Sequence, residues 1–117
     1  MPKVFVVEDD LPMTRLLETL LSLEGFDAVS TPRPDAILST ARQEKPNLVV
    51  MDLHLGQVKT LGILSEFKRD PALKSIPIII VSGLEAEEDC LRAGADAFLL
   101  KPYSPDTLIK LMRSLAH

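Results

Sequence analysis

Apolar positions along this chain fall into two alternating patterns. Val4-Phe5-Val6-Val7, Leu48-Val49-Val50-Met51, Ile78-Ile79-Ile80-Val81 and Ala97-Phe98-Leu99-Leu100 are short continuous runs, the first three rich in β-branched residues, and they read as strands buried on both faces. The stretches between them repeat apolar residues every three or four positions and read as amphipathic helices. Taken in order, a first strand spans Lys3–Val7. A helix follows, started by Asp10 as N-cap with Pro12 in its first turn, with an inner face of Met13, Leu16, Leu17, Leu20 and Leu21, and closed by Glu24-Gly25. Phe26–Ser30 forms a second strand whose brevity and polarity suit a sheet edge. The segment Thr31-Pro32-Arg33-Pro34-Asp35 punctuates the chain, and a weaker helix runs to about Gln43 on Ala36, Ile37 and Ala41.

Lys45-Pro46-Asn47 leads into the third strand, which ends in Asp52. Residues 56–60 read as a loop ahead of a helix built on Leu61, Leu64 and Phe67, and Asp70-Pro71 closes that helix because a residue before proline avoids helical angles. The fourth strand spans Ile76–Ser82, with Pro77 tolerable only at its start. A helix over 86–93 is acidic at its N-terminal end through Glu85, Glu87, Glu88 and Asp89, where negative charge is favourable, and Gly94 ends it. After the fifth strand, Ala97–Leu100, Ser104-Pro105 starts a last helix that runs nearly to His117, with Leu108, Ile109, Leu111, Met112 and Leu115 inward.

Five β-α pairs in succession predict an α/β fold, a single doubly wound domain over 1–117 with a parallel sheet, helices on both faces and right-handed crossovers. In such sheets ligands sit beyond the carboxyl ends of the strands. There the chain places Glu8-Asp9-Asp10 after the first strand, Asp52 after the third, Ser82-Gly83 after the fourth and Lys101-Pro102 after the fifth. Asp52 alone is better explained by capping a turn, and Lys101 alone by a surface position. An acidic cluster, a hydroxyl and an ammonium meeting at one sheet edge is chemistry.

Composition changes this picture little. The 117 residues are 46% hydrophobic and 26% charged, as in an ordinary globule, and a net charge of −4 without a basic stripe argues against nucleic-acid binding. The single cysteine, Cys90, excludes an internal disulfide and fits a small buried apolar position. No apolar run reaches membrane-spanning length, and the short run after Lys3 breaks at Glu8, so neither membrane insertion nor a signal peptide is expected and the expected location is cytoplasmic.

These strand-end residues, with Gly94-Ala95-Asp96-Ala97-Phe98-Leu99-Leu100 leading to Lys101-Pro102, resemble the receiver domain of the two-component response regulators over essentially the whole chain. The resemblance implies a flavodoxin-like, chemotaxis-regulator-like fold with strand order 2-1-3-4-5. It implies Asp52 as phosphoacceptor, served by Lys101 and Ser82, and Mg2+ or Mn2+ held by Glu8, Asp9, Asp52 and the backbone carbonyl of His54. The His54 imidazole is read as a loop side chain, and His117 has still less claim to a role. A cis Lys101-Pro102 bond is also implied. Ser82 and Phe98 would form the switch that reshapes the surface of the fourth helix, fifth strand and fifth helix; Phe98 as plain core stays open.

The implied partners are a histidine kinase or histidine phosphotransfer protein and a downstream target or output domain outside this chain. The chain would be a regulator that assists its own phosphoryl transfer and dephosphorylation, not an enzyme in the usual sense, and a monomer or a weak dimer through the fourth-to-fifth helix face. One departure stands out. The family usually has a Pro-x-Met-Asp-Gly-like loop after the phosphoacceptor strand, whereas this chain reads Leu55-Gly56-Gln57-Val58-Lys59-Thr60, with glycine for proline and Thr60 for glycine. Glycine's freedom predicts a looser loop and weaker or more mobile metal binding. Two other readings compete: a receiver-fold interaction module that signals without phosphate, favoured slightly by the altered loop, and a flavodoxin-like cofactor binder, opposed by three acids where a phosphate loop is needed.

Overall fold

A computed structural model describes residues 1–115, and His117 lies outside the described residues. The continuous apolar runs form β1 (Lys3–Val7), β3 (Leu48–Asp52) and β6 (Ile78–Ser82) at the centre of a five-stranded sheet, with β2 (Asp27–Thr31) and β7 (Ala97–Leu100) at its edges, in the order β2-β1-β3-β6-β7. All four pairings are parallel. Counted over these five strands, this is the order 2-1-3-4-5.

Strand side chains alternate between two faces, so the sheet builds two cores. Val4, Val6, Leu48, Val50, Ile79 and Val81 face α1 (Leu11–Leu23) and α5 (Pro105–Leu115), meeting Leu17, Leu21, Leu108 and Met112. Phe5, Val7, Val49, Met51, Ile78 and Ile80 face α2 (Ile37–Glu44), α3 (Leu61–Arg69) and α4 (Glu87–Arg92), meeting Ile37, Ala41, Leu64, Phe67 and Cys90. Both faces being covered is why the three central strands carry polar residues only at their termini, Lys3, Asp52 and Ser82. Among the described residues no helix is long and apolar enough to cross a membrane.

Local signals set the boundaries. Asp10 Oδ1 accepts the Met13 N–H at 3.1 Å, and Ser104 Oγ accepts that of Thr107 at 3.2 Å. Gly25 and Gly94 take positive φ after α1 and α4, and so does Lys45 after α2 (φ 48°), where lysine carries the left-handed cap that glycine usually takes. The Lys101-Pro102 peptide is cis.

Several expectations are corrected. The second strand begins at Asp27, with Phe26 buried just ahead of it, and the fourth begins at Ile78, after Pro77 instead of before it. The second helix opens with a 3-10 turn over Pro34–Ala36. Leu16 is 51% exposed, because the buried face of α1 runs through Thr14, Leu17 and Leu21. Leu16 instead lines an apolar groove of about 410 Å3 between α1 and α5 that reaches Pro102 and Tyr103.

The largest correction concerns residues 56–60. They are not a loose loop: β4 (His54–Leu55) and β5 (Val58–Lys59) form an antiparallel hairpin around Gly56-Gln57. Gly56 takes φ +57° at the first central position, the conformation a two-residue hairpin turn asks of glycine. Its glycine makes the turn tight.

Gly94 at φ +115° has no room for a side chain, since a Cβ there would lie 2.6 Å from Lys68 Cγ. Lys68 Nζ is itself held by Asp96 at 3.1 Å, and Asp96 accepts the Ile78 N–H at 2.8 Å. Gly94→Ala is therefore expected to cost about 1–3 kcal/mol in urea unfolding, whereas Gly62→Ala in the open first turn of α3 leaves stability unchanged or slightly raised.

Candidate functional site

Register decides which residues meet at the carboxyl edge. Asp52 is paired with Val81 and Ser82 with Leu100, while Lys101 N–H donates to the Ser82 carbonyl at 2.8 Å, so the ends of β3, β6 and β7 finish side by side. β1 pairs with β3 through Val7 and Met51, which brings Glu8 and Asp9 alongside Asp52. Carboxylate oxygens of Glu8, Asp9 and Asp52 all lie within 4.8 Å of one another. Glu8 is 6% exposed and Asp52 9%, while Asp9 stands at the mouth.

Three acids at this separation repel, and the chain compensates in two ways. Lys101 Nζ reaches Asp52 Oδ2 at 3.0 Å and Glu8 Oε1 at 3.4 Å. Burial works against the ammonium charge, but the Asp52 and Glu8 carboxylates outweigh it and hold the Lys101 pKa above the usual lysine value. Backbone amides supply the rest: Glu8 Oε2 accepts from Asp9 and Asp10 N–H at 3.0 and 3.3 Å, and Asp9 Oδ2 accepts from Gly56 N–H at 2.8 Å. This is not enough for Glu8. Burial first, then its hydrogen bond to Asp52 and the Asp52 charge, push its pKa from 4.5 to about 7. Burial likewise raises the Tyr103 pKa beside the cluster.

The other sequence candidates divide. Ser82 is 1% exposed and its Oγ accepts the Leu84 N–H at 3.0 Å. Phe98 is half-buried against the core that α2, α3 and α4 cover, opposite Ile80. The His54 side chain is exposed on β4. Its carbonyl is a different matter. Thr60 N–H bonds the Leu53 carbonyl at 2.7 Å, and pairing alternates along an antiparallel ladder, so His54 and Lys59 form the non-hydrogen-bonded pair and the His54 carbonyl is left outside the ladder.

Sequence reasoning noted Thr60 only as a missing glycine. Thr60 is fully buried, and its Oγ1 donates to the backbone carbonyls of Asp52 (2.9 Å) and Leu53 (3.1 Å). No signal along the chain announces this, because the hairpin is what folds residue 60 back beneath residue 52.

The donor set fits a hard divalent cation. Carboxylate and carbonyl oxygens are what Mg2+ and Mn2+ prefer, and three carboxylates facing the one ammonium of Lys101 leave negative charge that a cation would balance. Glu8, Asp9, Asp52 and the His54 carbonyl are the atoms that would hold it.

Residues 4–113 match the response regulator receiver domain family. The chain belongs to that family. Among curated relatives, this receiver domain is 34% identical over 116 residues to the "Probable transcriptional regulator ycf27" of Porphyridium aerugineum, an alignment covering 97% of this chain and 47% of that protein. It is 31% identical over 118 residues to the polar-differentiation response regulator DivK of Brucella anthropi, covering 97% and 96%. The receiver thus spans about half the length of the ycf27 relatives and nearly all of DivK. Among solved structures it superposes with a TM-score of 0.86 on the BeF3-activated N-terminal receiver domain of Klebsiella pneumoniae RstA, at 25% identity and 98% coverage of each chain.

A buried carboxyl with a raised pKa binds extra protons in the folded state, so its contribution is fully present below pH 4.5 and lost as pH rises through about 7. Metal-free protein is expected to lose about 1–3 kcal/mol across that window by this route. Denaturant titrations at pH 5 and pH 8 check it: Glu8→Gln should flatten the pH dependence, raise stability at pH 8 and remove most of the stabilisation that Mg2+ gives the native chain.

Proposed function

We propose that this receiver domain is a phosphoacceptor switch in which Asp52 takes a phosphoryl group from a phosphohistidine on a histidine kinase or histidine phosphotransfer protein. The observation that carries the reading is the convergence of Asp52 with the Lys101 ammonium at 3.0 Å and the Glu8 and Asp9 carboxylates within 4.8 Å. A carboxylate attacking a phosphoryl group is an anion meeting an anion, and it needs positive charge placed in advance. A Mg2+ held by Glu8, Asp9, Asp52 and the His54 carbonyl would supply most of that charge.

The Asp52 carboxylate oxygen forms a bond to phosphorus as the phosphorus–nitrogen bond of the donor breaks. The electron pair leaves with the donor imidazole, and the product is an aspartyl phosphate. Lys101, already beside Asp52 Oδ2, neutralises a phosphoryl oxygen as charge arrives. Glu8 and Asp9 would hold the cation; Gly83 and the exposed Leu84, beside Ser82, leave the approach open. Attack by water on the same phosphorus, with Lys101 still beside it, breaks the bond to the Asp52 oxygen, releases inorganic phosphate and returns the carboxylate.

The signal leaves through Ser82 and Phe98. The Ser82 hydroxyl gives up the Leu84 amide and donates to the new phosphoryl oxygens, and the half-buried Phe98 turns toward the vacated space. The surface of α4, β7 and α5 repacks. This is a shift between two packings of one core, biased by contacts that exist only after phosphorylation, and a downstream protein or an attached output domain reads it. BeF3 activation of the RstA receiver supports the same logic here.

Intact-mass spectrometry after incubation with acetyl phosphate and Mg2+ tests the proposal. The native chain is expected to gain one phosphoryl group, and neither Asp52→Ala nor a sample with excess chelator should. Lys101→Ala is expected to slow the gain at least tenfold. No adduct on the native chain would favour a receiver-fold interaction module that signals without phosphate.

A further inference from the structure

The hairpin beside the site touches the ligand set at both ends. At its tip, Gly56 N–H donates to Asp9 Oδ2 at 2.8 Å; at its base, Thr60 Oγ1 donates to the carbonyl of Asp52 at 2.9 Å and to that of Leu53 at 3.1 Å, while Thr60 N–H bonds the Leu53 carbonyl at 2.7 Å. Between them sits His54, whose carbonyl is free of the ladder. A single seven-residue segment therefore fixes the direction of one candidate carboxylate ligand, the backbone of the phosphoacceptor and the carbonyl ligand. We propose that the hairpin over residues 54–60 is a clasp that sets the metal and phosphoacceptor geometry, and that Thr60 is its positioning residue.

Three physical points carry this. First, a hairpin with two residues in each strand is marginal by itself and needs an external tie to persist. Thr60 is that tie, since its hydroxyl is fully buried and spends its hydrogen bonds on the strand carrying Asp52 instead of on its own helix. Second, a hydroxyl here does what a glycine cannot. Glycine at position 60 would leave the Asp52 carbonyl without this donor, and it would leave the link between β5 and α3 free to swing. Third, Gly56 at positive φ lets the turn tighten until its amide meets Asp9. The two departures from the usual family loop thus act together: glycine makes the turn and threonine anchors it. Outer contacts that orient first ligands commonly govern metal affinity as strongly as a ligand does.

The claim rests on the phosphoacceptor reading, and Thr60→Val against Thr60→Ser separates the two. Valine keeps the shape and loses the hydroxyl, while serine restores it. In metal-free protein, amide hydrogen exchange at Gly56 and Thr60 is expected to quicken at least tenfold in Thr60→Val beyond any change at Val6 in the core, and to return toward native in Thr60→Ser. Isothermal titration is expected to show Mg2+ affinity about tenfold weaker in Thr60→Val and within twofold of native in Thr60→Ser. Gly56 and Thr60 amides whose exchange quickens in Thr60→Val no more than that of Val6, or a Thr60→Val chain that binds Mg2+ like the native, would overturn the clasp while leaving the phosphoacceptor reading intact. A native chain that bound no Mg2+ at all would overturn both.

Discussion

Everything at the carboxyl edge depends on the repulsion among three carboxylates that the sheet forces together. Parallel register leaves no choice: with β1 beside β3, Glu8 and Asp9 must end next to Asp52. The fold tolerates this because Lys101 arrives from β7 and because backbone amides of residues 9, 10 and 56 face the same oxygens. Burial of Glu8, with its hydrogen bond to Asp52 and the Asp52 charge behind it, holds its pKa high. Such a site is poised for a cation, and a cation there makes phosphoryl transfer to a carboxylate feasible. The two cores above and below the sheet are what hold these ends in place against the repulsion.

Much of this was legible in the chain. The four-residue apolar runs Val4–Val7, Leu48–Met51 and Ile78–Val81, short and rich in β-branched residues, read as strands covered on both faces, and once five strands alternate with helices their ends share one edge. The Asp10 and Ser104 caps and the Gly25 and Gly94 stops are local devices whose meaning does not depend on the rest of the fold. What stayed hidden depends on tertiary placement. Leu16 follows helical spacing as well as Leu17 does, but the stripe touching the sheet passes through Thr14, so Leu16 faces a groove between two helices. Lys45 carries no mark of the left-handed conformation that the end of α2 imposes on it.

The 54–60 hairpin shows the same limit more sharply. Its strands are two residues long, too short for an alternation to register, and its glycine reads as looseness when taken alone. The amide bond to Asp9 and the hydroxyl bonds from Thr60 reverse that meaning: glycine there permits a tight turn, and the turn delivers an amide to a carboxylate. Composition described what the segment lacked relative to its family; only the packed structure shows what it has gained.

The central claim is that the Asp52 carboxylate accepts a phosphoryl-like group only in concert with a cation held by Glu8 and Asp9. The most direct measurement is 19F NMR of the protein with beryllium fluoride, with and without Mg2+. The account predicts protein-bound fluoride resonances that appear only when Mg2+ is present and that vanish in Asp52→Ala. Resonances that formed equally well without a divalent cation, or that survived loss of Asp52, would contradict it.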